Sequence, residues 1–387
     1  MARIKLLLDG RVEDYATGAA SRFPRVQDRP FDRVAFAAAH VVVDPRADVS
    51  PWLDVAIDWD ATLAFRRHLW GLGLAVAEAM DTAQRGAGLA WPQALELVRR
   101  SAAEARATPG ARIASGVGTD QLEPAAARSV DDVLAAYEEQ LEAVEAAGSD
   151  VILMASRALA RVARSPDDYE RVYDRLLGQV ARPAILHWLG DMFDPALAGY
   201  WGCGSFEQEL DVVVRIIERR RDKVDGIKIS LLDKDKEVAL RRRLPAGVRM
   251  YTGDDFNYAE LIAGDADGHS DALLGIFDAI APAAAAALAA LAAGDRATFD
   301  AILEPTVPLS RHVFAAPTRF YKTGVVFLAY LNGHQDHFTM LGGAESARSL
   351  AHLCRLFALA DRAGLIVDPD RAVARMRPVL AVHGLPA

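Results

Sequence analysis

The stretch Val224-Asp225-Gly226-Ile227-Lys228-Ile229-Ser230 decides the fold. It is short, β-branched and alternating, which is the pattern of a strand with two different faces. Ile227 and Ile229 share one face; Gly226, Lys228 and Ser230 share the other. Similar runs recur at Val34–Val43, Leu74–Met80, Arg112–Gly116, Val151–Ala155, Ala184–Leu189, Val248–Thr252 and Gly268–Leu274. Helical patterns lie between them, at Trp59–Gly71, Pro92–Ala107, Ser129–Ala147, Pro166–Val180, Phe206–Arg220 and Phe256–Ala263. Strand followed by helix, repeated eight times in about 250 residues, predicts an α/β fold of the closed (βα)₈ (TIM) barrel type. The isoleucines of the quoted strand then face the helical layer, and Lys228 points into the barrel.

The 387 residues divide on this reading into an N-terminal segment (1–30), a barrel (31–282) and a C-terminal helical extension (283–387). The extension reads as helices at Ala283–Ala293, Ala297–Phe314, Phe320–Leu331, Ala344–Ala363 and Pro369–Arg375, a region suited to capping a face or building an oligomer contact. Half of the chain is hydrophobic and a quarter charged, with a formal net charge of −9. That balance offers no basic stripe for a nucleic acid. The arginine runs Arg219–Arg221 and Arg241–Arg243 read as solvated helix faces. No apolar run has the length of a membrane span, and Ile4–Leu8 is too short for the core of a signal sequence. Cys203 and Cys354 show no metal or redox spacing. A reduced, cytoplasmic protein is expected, with no membrane partner and no cofactor or metal.

An ammonium inside a barrel costs several kcal/mol unless it is paired or neutralised. Burial depresses the pKa of such a lysine, and an amine freed of its proton can attack a carbonyl and form a Schiff base. The plainer reading is a strand-end lysine that reaches solvent or pairs with Asp254 or Asp255. Further candidates stand at strand ends. His187 is either structural or a general acid/base. Glu78, Asp81, Asp191, Asp254 and His269 could with His187 hold a divalent ion, although no HxH or HExxH spacing supports it. Gly116-Val117-Gly118 reads as a tight turn, and a weak phosphate cradle. The polar run Asn332–Phe338 is either a loop with a helix cap at Gly333 or a segment reaching the barrel mouth.

The strand around Lys228 resembles the Val-Gly-Ile-Lys strand of the dihydrodipicolinate synthase and N-acetylneuraminate lyase superfamily. Other matches follow in register. Ala114–Asp120 resembles the third-strand Ala-Gly-Thr-Gly turn, and Ala146–Val151 the Gly-Ala-Asp entry to strand four. Pro183–Trp188 stands where the family has Pro-Ile-Leu-Tyr-Asn. Gly253-Asp254-Asp255, with Leu261 and Gly264, resembles the seventh-strand Gly-Asp-Asp, and Ala281-Pro282 with Gly294-Asp295 the helices beyond it. The resemblance spans roughly residues 30 to 330 and implies a divergent bacterial branch of these lysine-dependent aldolases.

It implies Lys228 as the imine-forming amine, a small-molecule substrate and a homo-oligomer, dimer or tetramer. Asp81, Thr82, Gly116, Asp191, Ser230, Asp254, Asp255 and His269 are the expected substrate-binding residues. Three departures stand out. His187 replaces the family's strand-five tyrosine, and Ala155-Ser156-Arg157 replaces Pro-Tyr-Tyr. Met80-Asp81-Thr82-Ala83-Gln84 replaces Gly-Thr-Thr-Gly-Glu, the grip on a 2-oxo-acid carboxylate. An aspartate there repels a second carboxylate, so a sugar or sugar-acid carbonyl compound is expected rather than pyruvate. The alternatives are a metal-dependent isomerase or lyase on the same barrel and a non-catalytic ligand-binding barrel.

Overall fold

The computed structural model describes residues 2–21, 23 and 31–385; residues 22 and 24–30 of the N-terminal segment lie outside that set. Two antiparallel strands come first, β1 (Arg3–Leu8) and β2 (Arg11–Ala16). They turn at Asp9-Gly10, where both residues have positive φ (48° and 78°). Asp-Gly meets that demand at low cost, which makes it a favoured two-residue hairpin turn.

Eight parallel strands then close a barrel: β3 (Ala35–Ala38), β4 (Ala75–Glu78), β5 (Ile113–Val117), β6 (Asp150–Leu153), β7 (Ala184–Leu189), β8 (Val224–Ser230), β9 (Arg249–Thr252) and β10 (Asp271–Leu274). The ring runs in chain order and closes between β10 and β3. This is the (βα)₈ barrel expected from the alternation. Its interior is filled by Phe36, Ala38, Ala77, Met80, Ile152, Ile185, Tyr251 and Leu273. Ile227 and Ile229 pack instead into the layer between strands and helices, so the alternation of β8 turns Lys228 inward.

Five of the expected strands are shorter, two of them for a reason visible in the neighbouring loops. Val34–Val43 ends at Ala38, because the His40 amide bonds to the Asp278 carboxylate (2.8 Å) and leaves the ladder. Gly268–Leu274 starts only at Asp271, after a loop with positive φ at Gly264 and Gly268. The expected helix Ala297–Phe314 is two, Arg296–Leu303 and Val307–Val313, joined by a tight turn at Glu304–Thr306 that contains Pro305. Proline lacks the N–H that would continue the ladder.

The helices after β10 pack with the N-terminal hairpin into one apolar body, in which Ile4 and Leu6 meet the layer of Leu353, Phe357 and Leu380. The Tyr15 hydroxyl donates to Asp361 (2.7 Å) in the same place. The helix Tyr321–Asn332 is buried over nearly its whole length and brings its first residue to the barrel mouth. Among the described residues no helix is long and apolar enough to cross a membrane.

Candidate active site

The exit ends of the strands, where barrel enzymes carry their chemistry, enclose a small chamber. Its walls are Met80, Asp81 and Thr82 after β4, Leu189 and Phe193 at the end of β7, Lys228 and Ser230 on β8, and Asp255 after β9. Ala38, Gly275 and Tyr321 complete it. The free space is about 10 Å³, close to the volume that one water needs. Asp81 and Leu189 also line a larger cavity of about 350 Å³, so the chamber adjoins an open antechamber.

Lys228 is 8 % exposed. Burial pulls its pKa below the usual lysine range, and the charges of Asp255 and Asp81 oppose that pull. Gly253 makes room for it: a Cβ there would stand 2.7 Å from the Lys228 Cε and 2.2 Å from the Ser230 Oγ. Asp255 is buried, and its Oδ1 accepts the Ile276 amide proton (2.9 Å). Burial raises its carboxyl to about 7, against the lowering effects of that bond and of Lys228. Lys228 and Asp255 thus line the same chamber, and burial disfavours the charged form of each.

Asp254 belongs elsewhere. Its carboxylate accepts the amides of Phe256 (2.8 Å) and Asn257 (3.1 Å) and the Asn257 side chain (2.7 Å). It ties the turn and does not line the chamber, so of the two acids only Asp255 faces Lys228.

Thr82 shares a hydrogen bond with the Tyr321 hydroxyl (2.8 Å). Burial, then the Asp81 charge, raise the Tyr321 phenol well above its ordinary pKa. His187 stands beside Lys228 in the ladder, one step below the chamber. Its Nε2 lies 3.3 Å from the Ser230 Oγ, and its Nδ1 has no partner among the described residues. Burial, then Lys228, push its pKa well below the usual value, so the ring is neutral and reaches the chamber only through Ser230.

A model described as "Protein of unknown function (DUF993)" matches residues 4–385. The chain belongs to the DUF993 family. No curated protein matches it. Its fold is that of dihydrodipicolinate synthase structures. The 4-hydroxy-tetrahydrodipicolinate synthase of Methylacidiphilum fumariolicum SolV superposes with a TM-score of 0.64 at 16 % identity, covering 90 % of this chain and 99 % of its own. YagE of E. coli K12, in complex with pyruvate, gives 0.63 at 13 % identity, with 92 % and 99 % covered. The Acinetobacter baumannii dihydrodipicolinate synthase, also complexed with pyruvate, gives 0.63 at 18 %, with 86 % and 99 % covered.

Against this frame the DUF993 chain sets its remaining candidates apart. Gly116 is inside the barrel wall, where an added Cβ would meet the Met154 (2.5 Å) and Met80 (3.1 Å) sulfurs; it backs Met80 and does not face the chamber. Asp191 is exposed on the loop after β7, and Phe193 from the same loop is the residue that turns inward. His269 is exposed and precedes the first residue of β10, which puts it at the entry end of the barrel, opposite Lys228. Glu78 points outward into a buried two-bond pair with Arg66 (2.8 and 2.9 Å). The groups weighed for a divalent ion are therefore dispersed. Gly333 caps its helix with φ 87°, and His334 packs on Phe65 and His68, with ring centroids 5.1 and 4.5 Å away. That loop lines neither cavity.

The sequence gives no warning of Tyr321, Phe193 or Lys322. Lys322 is buried beside Asp81 and Arg157, and its Nζ donates to the Arg319 carbonyl (3.1 Å). In the antechamber Arg85 pairs with Asp120 (2.7 Å) and Arg157 with Asp194. The Thr119 and Ser156 hydroxyls bond each other (2.6 Å). Leu89, Leu122, Met154 and Leu197 supply apolar floor.

Proposed function

We propose that this protein is a Schiff-base-forming lyase or aldolase with Lys228 as the amine nucleophile, acting on a polar, uncharged carbonyl group such as that of a sugar or sugar-acid derivative. The observation that carries this reading is that the buried Lys228 and the buried Asp255 line one small chamber at the exit end of the barrel. Asp255 takes the ammonium proton, and the free amine attacks the carbonyl carbon. The resulting iminium accepts the electron pair of the breaking C–C bond and leaves an enamine. In the C–O case it accepts the pair of a Cα–H bond, and the enamine then expels the β-hydroxyl, which leaves with the C–O pair as water. Ser230 and Thr82 offer hydroxyls to the substrate's oxygens, and the neutral His187 supports Ser230.

The choice against a 2-oxo acid rests on charge. In the chamber Lys228 already has the charges of Asp255 and Asp81 acting on it, and Lys322, outside the chamber, is drawn to Asp81 and Asp194, so the charge of both lysines is answered before a carboxylate arrives. A carboxylate at ~4 Å from Asp81, at an effective dielectric of ~20, would meet about 4 kcal/mol of repulsion from that charge alone. A hydroxyl there donates to Asp81 instead. The test is borohydride trapping with neutral hydroxy-ketones and with pyruvate, read by mass spectrometry. Adducts with the former and little with the latter are expected; the reverse order contradicts the substrate assignment. We place the protein in the cytosol as a homo-oligomer.

A further inference from the structure

The wall that closes over Lys228 comes from outside the barrel. Tyr321 opens a helix of the C-terminal extension, and its ring stacks on Phe314 at 4.3 Å and 14°. Phe193 meets it edge-on at 6.1 Å. Gly275 permits this approach, since a Cβ there would stand 3.1 Å from both the Tyr321 and Phe314 rings. The ring is thus held by packing on several sides, and its hydroxyl points at Thr82 in the chamber.

Making an imine from an ammonium and a carbonyl needs a proton on the carbonyl oxygen as the C–N bond forms. The chamber's hydroxyls are those of Ser230, Thr82 and Tyr321. Ser230 already stands against His187. Of the three, the phenol is the strongest acid by type, and Tyr321 has a hydroxyl neighbour to replenish it. On the Schiff-base reading Asp255 is assigned to the lysine proton.

Building on the Schiff-base reading, we propose that Tyr321 is the catalytic residue that protonates the substrate's carbonyl oxygen, with Thr82 as its positioning partner. The C-terminal extension thereby completes the active site. The protons balance as follows. Asp255 removes one proton from the Lys228 ammonium. The amine's lone pair forms the C–N bond while the carbonyl π pair moves onto oxygen and takes the Tyr321 proton. The nitrogen then returns a proton to the Tyr321 oxygen. The proton on Asp255 leaves with the hydroxyl as water when the iminium forms. The sum is one ammonium and one carbonyl giving one iminium and one water. Burial keeps the phenol protonated through neutral pH, as a donor requires.

The test uses the full chain and dihydroxyacetone as the probe. The rate of the borohydride-stable adduct at Lys228 is followed by peptide mass spectrometry in wild type, Tyr321→Phe and Thr82→Val. Phenylalanine keeps the ring stack, so the fold is expected to persist, checked by melting. The adduct rate should fall about 100-fold in Tyr321→Phe, the lower end for loss of a general acid, and by about tenfold in Thr82→Val. A folded Tyr321→Phe protein that labels Lys228 at the wild-type rate overturns the assignment. Should Tyr321→Phe not fold, Thr82→Val decides: a slowed rate supports the pair, and an unchanged one overturns it. A wild type that forms no adduct contradicts the role of Lys228 itself, a separate failure that takes the Tyr321 role with it.

Discussion

Replacing Gly253 by alanine adds one methyl group and tests how the chamber accommodates its lysine. The added Cβ would lie 2.2 Å from the Ser230 Oγ, 2.7 Å from the Ile229 carbonyl oxygen and 2.7 Å from the Lys228 Cε. Relaxed carbon contacts stand at about 3.5–4.0 Å, so the lysine stem must retreat by about 1 Å. The Ile229 oxygen cannot yield so cheaply, because it accepts the Gly253 amide (2.9 Å) in the barrel ladder. Overpacking of this kind costs about 1–3 kcal/mol. Displacement of a reacting group by about 1 Å costs on the order of 100-fold in rate. Both effects are measurable on one preparation. Urea denaturation should show a loss of about 2 kcal/mol, and borohydride trapping at Lys228 should slow by about two orders of magnitude. A Gly253→Ala protein with wild-type stability and a wild-type trapping rate would refute the placement of Lys228 against Gly253.

Other outcomes follow from the same geometry. Lys228→Arg keeps the charge but cannot lose its proton; turnover should drop by about three orders of magnitude, roughly 4 kcal/mol of barrier, with the melting temperature little changed. Asp81→Asn removes a charge that holds the Lys228 pKa up, so the basic rise of the trapping rate should move to lower pH and adducts with pyruvate should increase; a profile that stays in place or moves up contradicts the coupling. Glu237 is buried, and burial raises its carboxyl to about 8. The unfolded chain releases that proton from pH ~4.5 upward while the folded one retains it, so stability is lost as pH rises toward 8. Glu237→Gln should flatten that slope by up to a few kcal/mol, read from urea midpoints at pH 5 and pH 8. Exhaustive EDTA should leave trapping intact, and restoration by Mn²⁺ or Zn²⁺ after a loss would favour metal chemistry. Light scattering at micromolar concentration should give a mass above the 41.8 kDa of one chain; a species of that mass contradicts the oligomer.

What the sequence discloses and what it conceals follow from the range of the interactions. Period-two alternation is local, and it put Lys228 inside the barrel and Ile227 and Ile229 outside correctly. The Gly-Asp-Asp run marked the acids, but which one faces the lysine depends on the turn, in which Asp254 is taken up by the Phe256 and Asn257 amides. His269 stands at the entry end, opposite Lys228, because it precedes β10; the expected strand Gly268–Leu274 already put it at the start of a strand, not at the exit end where the chamber lies. The helix Lys234–Arg241 is hard to read in the sequence because its eight residues carry five charges and hardly any apolar stripe. The N-terminal hairpin has a local signal in the sequence, Asp9-Gly10 between alternating runs. Tyr321 had none. It meets Thr82 across 239 residues of chain, a contact that only the packing of the C-terminal helices creates.

The central claim is that Lys228 forms a covalent imine. Incubation of the full chain with dihydroxyacetone and borohydride, followed by peptide mass spectrometry, tests it most directly. The account predicts a reduced adduct on the peptide that contains Lys228, absent in Lys228→Arg and undiminished by EDTA. An unmodified Lys228 peptide, or an adduct carried only by Lys322, would contradict it.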